Sequence, residues 1–288
     1  MKQNELQKTF IAMLFAFVAS AVALQLSNTL VVLTEEWTKT NPVSLIERII
    51  DSEYLLLSAM SHSLLALMLF SMSWVMWSKS QAAGHIKDIE SVFSLKYTTL
   101  LLEVLLVVMY FSIVNSAEGN IEKYKETKQV SDFISNPSAY PEAKQMIWVF
   151  AIFAIWDIIV DVIKSPKASS SSKVMQKGKD FIQGVLVYCT LSVVCLLAAL
   201  WVSLNHSLES SAINAVIGDI SLILILLFFN RAKCLEYHLL NIFPDEKKRK
   251  NTLRTTSPTY EEMRDIFLIA GLFLTINTYK SVTLCPLS

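Results

Sequence analysis

Long unbroken apolar runs, rather than alternating ones, organise this chain. Six segments have the length and continuity of membrane-spanning helices: Phe10–Leu33, Tyr54–Trp77, Tyr97–Asn115, Met146–Ile163, Phe181–Leu204 and Ala212–Asn230. About 20 residues rising 1.5 Å each cross the hydrocarbon core, and in lipid a helix satisfies its own backbone polar groups. The pattern therefore predicts an all-α polytopic membrane protein, with residues 1–230 forming a bundle of about six transmembrane helices. A further run, Ile266–Tyr279, reads "IFLIAGLFLTINTY". It is short for a crossing, and runs of about 10–14 residues more often lie at the interface or re-enter. Residues 231–288 are thus expected to form a cytoplasmic basic segment followed by a docked, interfacial or re-entrant hydrophobic helix.

The first run also imitates a signal peptide. Lys2 and Lys8 precede it, and Ala21-Val22-Ala23 has the small-residue character of a cleavage site. Hydrophobicity continues through Leu33, which favours an uncleaved span.

The connections carry their own signals. In "NPVSLIERII", Asn41 can cap a helix, Pro42 suits its first turn, and Val43, Ile46, Ile49 and Ile50 can share a face, so a short interfacial helix is expected. The connection Ser116–Gln145 is expected to be helical up to "SNPSAYP", where Asn136-Pro137 and Pro141 favour a turn, and to cap the bundle or meet a partner. "SPKASSSSKVMQKGK" reads as a flexible cationic linker. No internal repeat is visible.

Charge placement sets an orientation. The chain is 53% hydrophobic and 17% charged with formal net charge zero, against about 25% charged in soluble domains. Cations concentrate at the start, in the second and fourth connections, and in the tail after span six. The first connection is acid-rich, and the fifth has no Lys or Arg. This alternation predicts the N-terminus inside, and the expected location is a bacterial inner (cytoplasmic) membrane. Lys123, Lys125, Lys128 and Lys144 in the third connection run against the rule. The tail cluster Lys247, Lys248, Arg249 and Lys250 suits lipid headgroups; its flanking acids and membrane setting argue against nucleic acid.

Cysteine, glycine and proline narrow the picture. None of the four cysteines falls in an expected outside connection, so no disulfide framework or zinc pattern is indicated. No proline lies inside the six spans, and of the glycines only Gly184 and Gly218 do. Continuous helices packed through larger side chains are expected, which argues against a large-motion transporter with broken helices.

Ionisable residues inside spans are functional candidates, because a charge in hydrocarbon costs several kcal/mol unless neutralised, paired or hydrated. "AIWDIIVDVIK" places Asp157, Asp161 and Lys164 on one helix face. Asp161 sits near the inner boundary, where it can snorkel. Asp157 lies deeper, about 10 Å from Lys164 along the helix. Glu103 falls at matching depth in span three, so a shared carboxyl site is available if the two helices touch. Asp219 is near the middle of span six. His62, between Ser61 and Ser63, lies in the outer half of span two. No Lys or Arg lies within these boundaries, so the deep carboxyls lack a basic partner except a protonated His62. As a metal ligand His62 lacks companions in the sequence. The bland alternative is that these acids are neutral and glue helices together for about 1 kcal/mol each.

No phosphate-cradling loop, nucleophile elbow or zinc-binding helix is present, so no enzyme, cofactor or metal is expected. The favoured reading is an ion channel or proton/cation-coupled transport component in the bilayer. It would work as a homo-oligomer or with a membrane-protein partner. Glu103 and Asp157 would line the path, Asp161 would stand at its inner mouth, and Asp219 and His62 would extend it outward. The competing class is a non-conducting membrane scaffold, immunity or effector subunit acting through partner proteins.

Overall fold

The apolar runs fold as helices, and most of those helices outlast the runs that predict them. The computed structural model describes residues 3–38, 55–82, 94–116, 119–134, 137–159, 174–206, 211–241 and 260–283. They form α1 (Gln3–Thr38), α2 (Leu55–Ala82), α3 (Leu95–Asn115), α4 (Ile121–Thr127), α5 (Val130–Phe133), α6 (Tyr140–Asp157), α7 (Val174–His206), α8 (Ala212–Asn241) and α9 (Tyr260–Thr283). No strand occurs among the described residues. The segment "NPVSLIERII", the Lys247–Lys250 cluster, Asp161 and residues 160–173 lie outside them.

Five helices, α1, α2, α3, α7 and α8, are long and apolar enough to cross a membrane, and they fit an integral membrane protein. The fourth expected span differs. Its helix, α6, begins at Tyr140 rather than Met146, with Pro141 in its first turn. Proline lacks an N–H that the first turn would leave unbonded, so it starts a helix here instead of marking the expected turn. The earlier start brings Glu142 and Lys144 onto the same 18-residue helix as Asp157. Ala21-Val22-Ala23 lies mid-helix in α1, with Val22 packed in the core.

The central helix is α8. Of its most apolar stretch 72% is buried, against 28% in α1 and in α3. It packs on α2, α6, α7 and α9, while α1 rests on α2 and α3, and α3 on α6. Phe17 and Leu24 of α1, Leu101 and Val108 of α3, and Leu197 and Leu204 of α7 point outward. Leaving such side chains in water would cost about 1.5–3 kcal/mol each, a penalty that a hydrocarbon surround removes.

Contacts along the helices fix their directions. Gln145 donates to Ser112 at 3.0 Å and Ser116 to Glu142 at 2.9 Å, so α3 and α6 are antiparallel. Glu142 lies beside Asp219 at one end of α6 and α8, and Asp157 beside Lys233 at the other, so these two run parallel. Phe15, early in α1, packs edge-on against Trp74, late in α2, while Val32 and Leu56 share a second core cluster. Consequently α2, α6 and α8 run one way and α1, α3 and α7 the other.

The C-terminal run lies within a helix of 24 residues. Arg231 meets Asp265 at 3.4 Å, and Asn277 donates to Ser221 at 3.2 Å, which lays α9 antiparallel along α8. The buried Asn277 thereby reaches the depth of the apolar middle of α8.

The third connection folds into a cap. Asn120 accepts from Lys123 N–H at 2.9 Å to start α4, and Lys128 ends it in the left-handed conformation (φ 56°). Lysine tolerates that backbone at a cost of roughly 1–2 kcal/mol, and its ammonium is held by Glu35 of α1 at 2.8 Å. Tyr124 is fully buried against Phe133 and the ends of α1 and α2, and its hydroxyl donates to Glu36 at 3.1 Å. Burial and the adjacent Glu36 carboxyl push the Tyr124 phenol above its ordinary value.

Candidate functional site

Two buried polar centres lie on the same pair of helices. The first joins α2, α6 and α8. The Pro141 turn puts Glu142 near the start of α6, where the helix dipole favours an acid. Gly218 allows α8 to approach that turn: a Cβ at this position would stand 2.3 Å from the Ala139 Cβ. The next residue, Asp219, is thereby brought to Glu142 and to His62 of α2.

His62, Glu142 and Asp219 are buried, at 3%, 0% and 2% exposure. His62 Nδ1 stands 3.2 Å from Glu142 Oε1, an ion-pair distance. Ser116 Oγ donates to the same Glu142 oxygen at 2.9 Å, and Ser61 Oγ donates to Asp219 Oδ2 at 2.7 Å. One donor atom from each of the three residues lies within 4.8 Å of the other two. Glu142 Oε2 and Asp219 Oδ1 are buried without a hydrogen-bond partner. Each such atom costs about 1–3 kcal/mol if nothing satisfies it. Two carboxyls and an imidazole this close can share protons as a coupled set or together ligate a cation.

The second centre closes the other end of α6 and α8. Lys233 Nζ lies 2.9 Å from Asp157 Oδ2, with the two side chains 2% and 1% exposed. Ser192 of α7 donates to the same oxygen at 2.8 Å. Just past Asp157 the backbone widens into a π-type turn at 158–159, a distortion frequent at functional positions. The sequence left Asp157 without a basic partner because span six appeared to end at Asn230. In the structure α8 continues to Asn241 and carries Lys233 inward.

Asp219 and Lys233 are separated by about 21 Å along α8. The interval is apolar and aromatic: Phe229 packs on Phe150 at 5.2 Å and on Phe153 at 5.1 Å between ring centroids. Met146, Val149 and Leu222 are completely buried in the same region.

Of the sequence candidates, the structure brings His62 to Asp219 and leaves Asp157 at the opposite end with Lys233. Glu103 is half-buried on α3. The α3–α6 register, extended from the Ser112–Gln145 and Ser116–Glu142 contacts, puts it opposite roughly residue 155. Asp161 and the basic cluster Lys247, Lys248, Arg249 and Lys250 lie outside the described residues. Glu142, Lys233, Ser61 and Ser192 were not singled out from sequence. Glu142 sits four residues before the apolar run Met146–Ile163, and Lys233 three residues after the run that ends at Asn230. A rule that searches the turn flanking each span would find both.

No protein-family model, curated protein or solved structure matches the chain. The functional reading therefore rests on this geometry.

Proposed function

We propose that the protein is a cation-handling membrane protein, a gated channel or a proton/cation-coupled transport component. The observation that carries this reading is the stacking of two buried ionisable centres on α6 and α8, separated by an apolar aromatic plug. The His62–Glu142–Asp219 centre is the cation-accepting station. The Asp157–Lys233 pair is the opposite station, where the carboxylate is occupied by the protein's own ammonium. Phe150, Phe153 and Phe229 form the dry constriction, and apolar constrictions gate permeation by excluding water. Glu103, at the depth of Asp157, is the nearest further carboxyl on the α3 side.

In this reading the N-terminus is inside, a bacterial inner membrane is the setting, and no catalytic chemistry is involved. The alternation of cations supports that orientation. The protein acts as a homo-oligomer or with a membrane-protein partner. The unassigned tail cluster contacts anionic headgroups.

A second reading is a non-conducting scaffold, immunity or effector subunit. It is favoured by the closed plug and by the pairing of Asp157 with Lys233, which can serve as structural glue. Flux measured in vesicles carrying the full-length protein separates the two. Proton or cation flux above that of empty vesicles is expected, falling at least about tenfold in Asp219→Asn with assembly intact. Wild-type flux equal to empty vesicles under both a pH gradient and a cation gradient overturns the transport reading.

A further inference from the structure

We infer that His62, Glu142 and Asp219 form a binding site for a first-row divalent metal ion of the zinc or manganese type. This rests on the cation-handling reading for its role in transport, but the site itself stands on its own geometry.

Four observations point the same way. The donors come from three separate helices, α2, α6 and α8, so the fold and not local sequence assembles them. Donors held by one tetrahedral ion at about 2.0–2.1 Å stand about 3.3 Å apart. The 3.2 Å between His62 Nδ1 and Glu142 Oε1 already matches that edge, and Asp219 lies within 4.8 Å of both. Glu142 Oε2 and Asp219 Oδ1 are buried without a hydrogen bond, which leaves one oxygen of each carboxyl for an ion, and His62 supplies one ring nitrogen. Finally, Ser116 and Ser61 each donate to one of the carboxylates, the outer support that fixes metal-ligating carboxylates in place.

Charge selects the ion class. With both carboxyls ionised, as metal ligands must be, the site would carry −2, and Lys233, about 21 Å away along α8, is already committed to Asp157. One divalent ion with a neutral imidazole balances the site, whereas a single monovalent ion leaves it negative in a low-dielectric setting. The nitrogen donor favours a transition ion over magnesium or calcium, which prefer all-oxygen sites. With three protein ligands, a tetrahedral ion keeps one position open, as exchangeable and catalytic sites do and closed structural sites do not.

The test is metal binding to the full-length protein in detergent or nanodiscs. After equilibration with Zn²⁺, Mn²⁺ or Co²⁺ and removal of excess, metal per chain is measured by elemental analysis, and Co²⁺ coordination by visible absorption. The expected result is saturable binding near one ion per chain. Asp219→Asn and Glu142→Gln should each weaken it at least about tenfold. Because those variants may alter packing, His62→Cys provides a gain of signal: a thiolate ligand adds a sulfur-to-cobalt charge-transfer band that wild type lacks. No saturable binding in wild type overturns the site, as does binding unchanged in Asp219→Asn and Glu142→Gln together with no new band in His62→Cys. Proton flux without metal binding overturns the site and leaves the transport reading standing. Tight metal binding without flux keeps the site and overturns its role in transport.

Discussion

Lys233 Nζ and Asp157 Oδ2 meet at 2.9 Å inside the bundle, joining α8 to the end of α6 with almost no exposure of either side chain. An ion pair so placed pays a large desolvation penalty, and removing one partner leaves the other charge uncompensated. Lys233→Met should therefore destabilise the protein by about 3–5 kcal/mol, while Lys233→Met with Asp157→Leu should recover most of that loss. Unfolding of the four proteins of this double-mutant cycle in detergent checks it. A double variant as unstable as the sum of its single variants would show that the pair is not the interacting unit.

Gly218 sets the approach of α8 to the start of α6. Gly218→Ala places a methyl group 2.3 Å from the Ala139 Cβ, so overpacking should cost about 1–3 kcal/mol. Ala139→Gly removes the opposing carbon and should restore stability when combined with Gly218→Ala. A thermal melt of the double variant no better than Gly218→Ala alone would place the strain elsewhere.

The aromatic plug makes a functional prediction in the opposite direction from loss of activity. Phe229 contacts both Phe150 and Phe153. Phe229→Ala should raise basal flux in vesicles severalfold while lowering stability by up to about 3–5 kcal/mol. A folded Phe229→Ala protein with no leak would count against a gate at this level.

The cap has a pH signature. Lys123 lies 2.9 Å from Asp132, and that ammonium holds the Asp132 carboxyl below its ordinary value of 3.8. The folded value is the lower one, so this contribution is present above the ordinary carboxylate range and is lost as pH falls through the folded value. Hydrogen exchange of residues 120–133, corrected for its intrinsic pH dependence, should show protection declining on acidification below that range. Lys123→Ala should weaken the dependence without disturbing α8, since the Thr127 hydroxyl remains as a second contact. Because the pair is exposed, the effect should stay local.

Much of the helical framework was legible in the sequence because hydrocarbon demands long apolar runs, and Phe10–Leu33 or Ala212–Asn230 could be little else. What the sequence withheld was which way each residue faces around its helix, and which helices meet. Asp157 turns out to meet α7 and α8. Its lysine escaped notice because an apolar count ends at Asn230, whereas backbone hydrogen bonding carries the helix on past that boundary. Glu142 falls in a connection if Pro141 marks a turn, although the same proline is equally suited to begin a helix. His62 lacked companions only in one dimension; they arrive from residues 142 and 219.

The stretch of α8 from Asp219 to Lys233 contains neither glycine nor proline. Fourteen steps of about 100° leave the two side chains within about 40° of the same azimuth. The helix thus acts as a stiff axle with a charged tooth at each end. Any torsion that disengages one tooth turns the other by the same angle. The two ends cannot be released in sequence by α8 itself. Any independent movement must be supplied by the helices that mesh with it, with α8 as the fixed shaft.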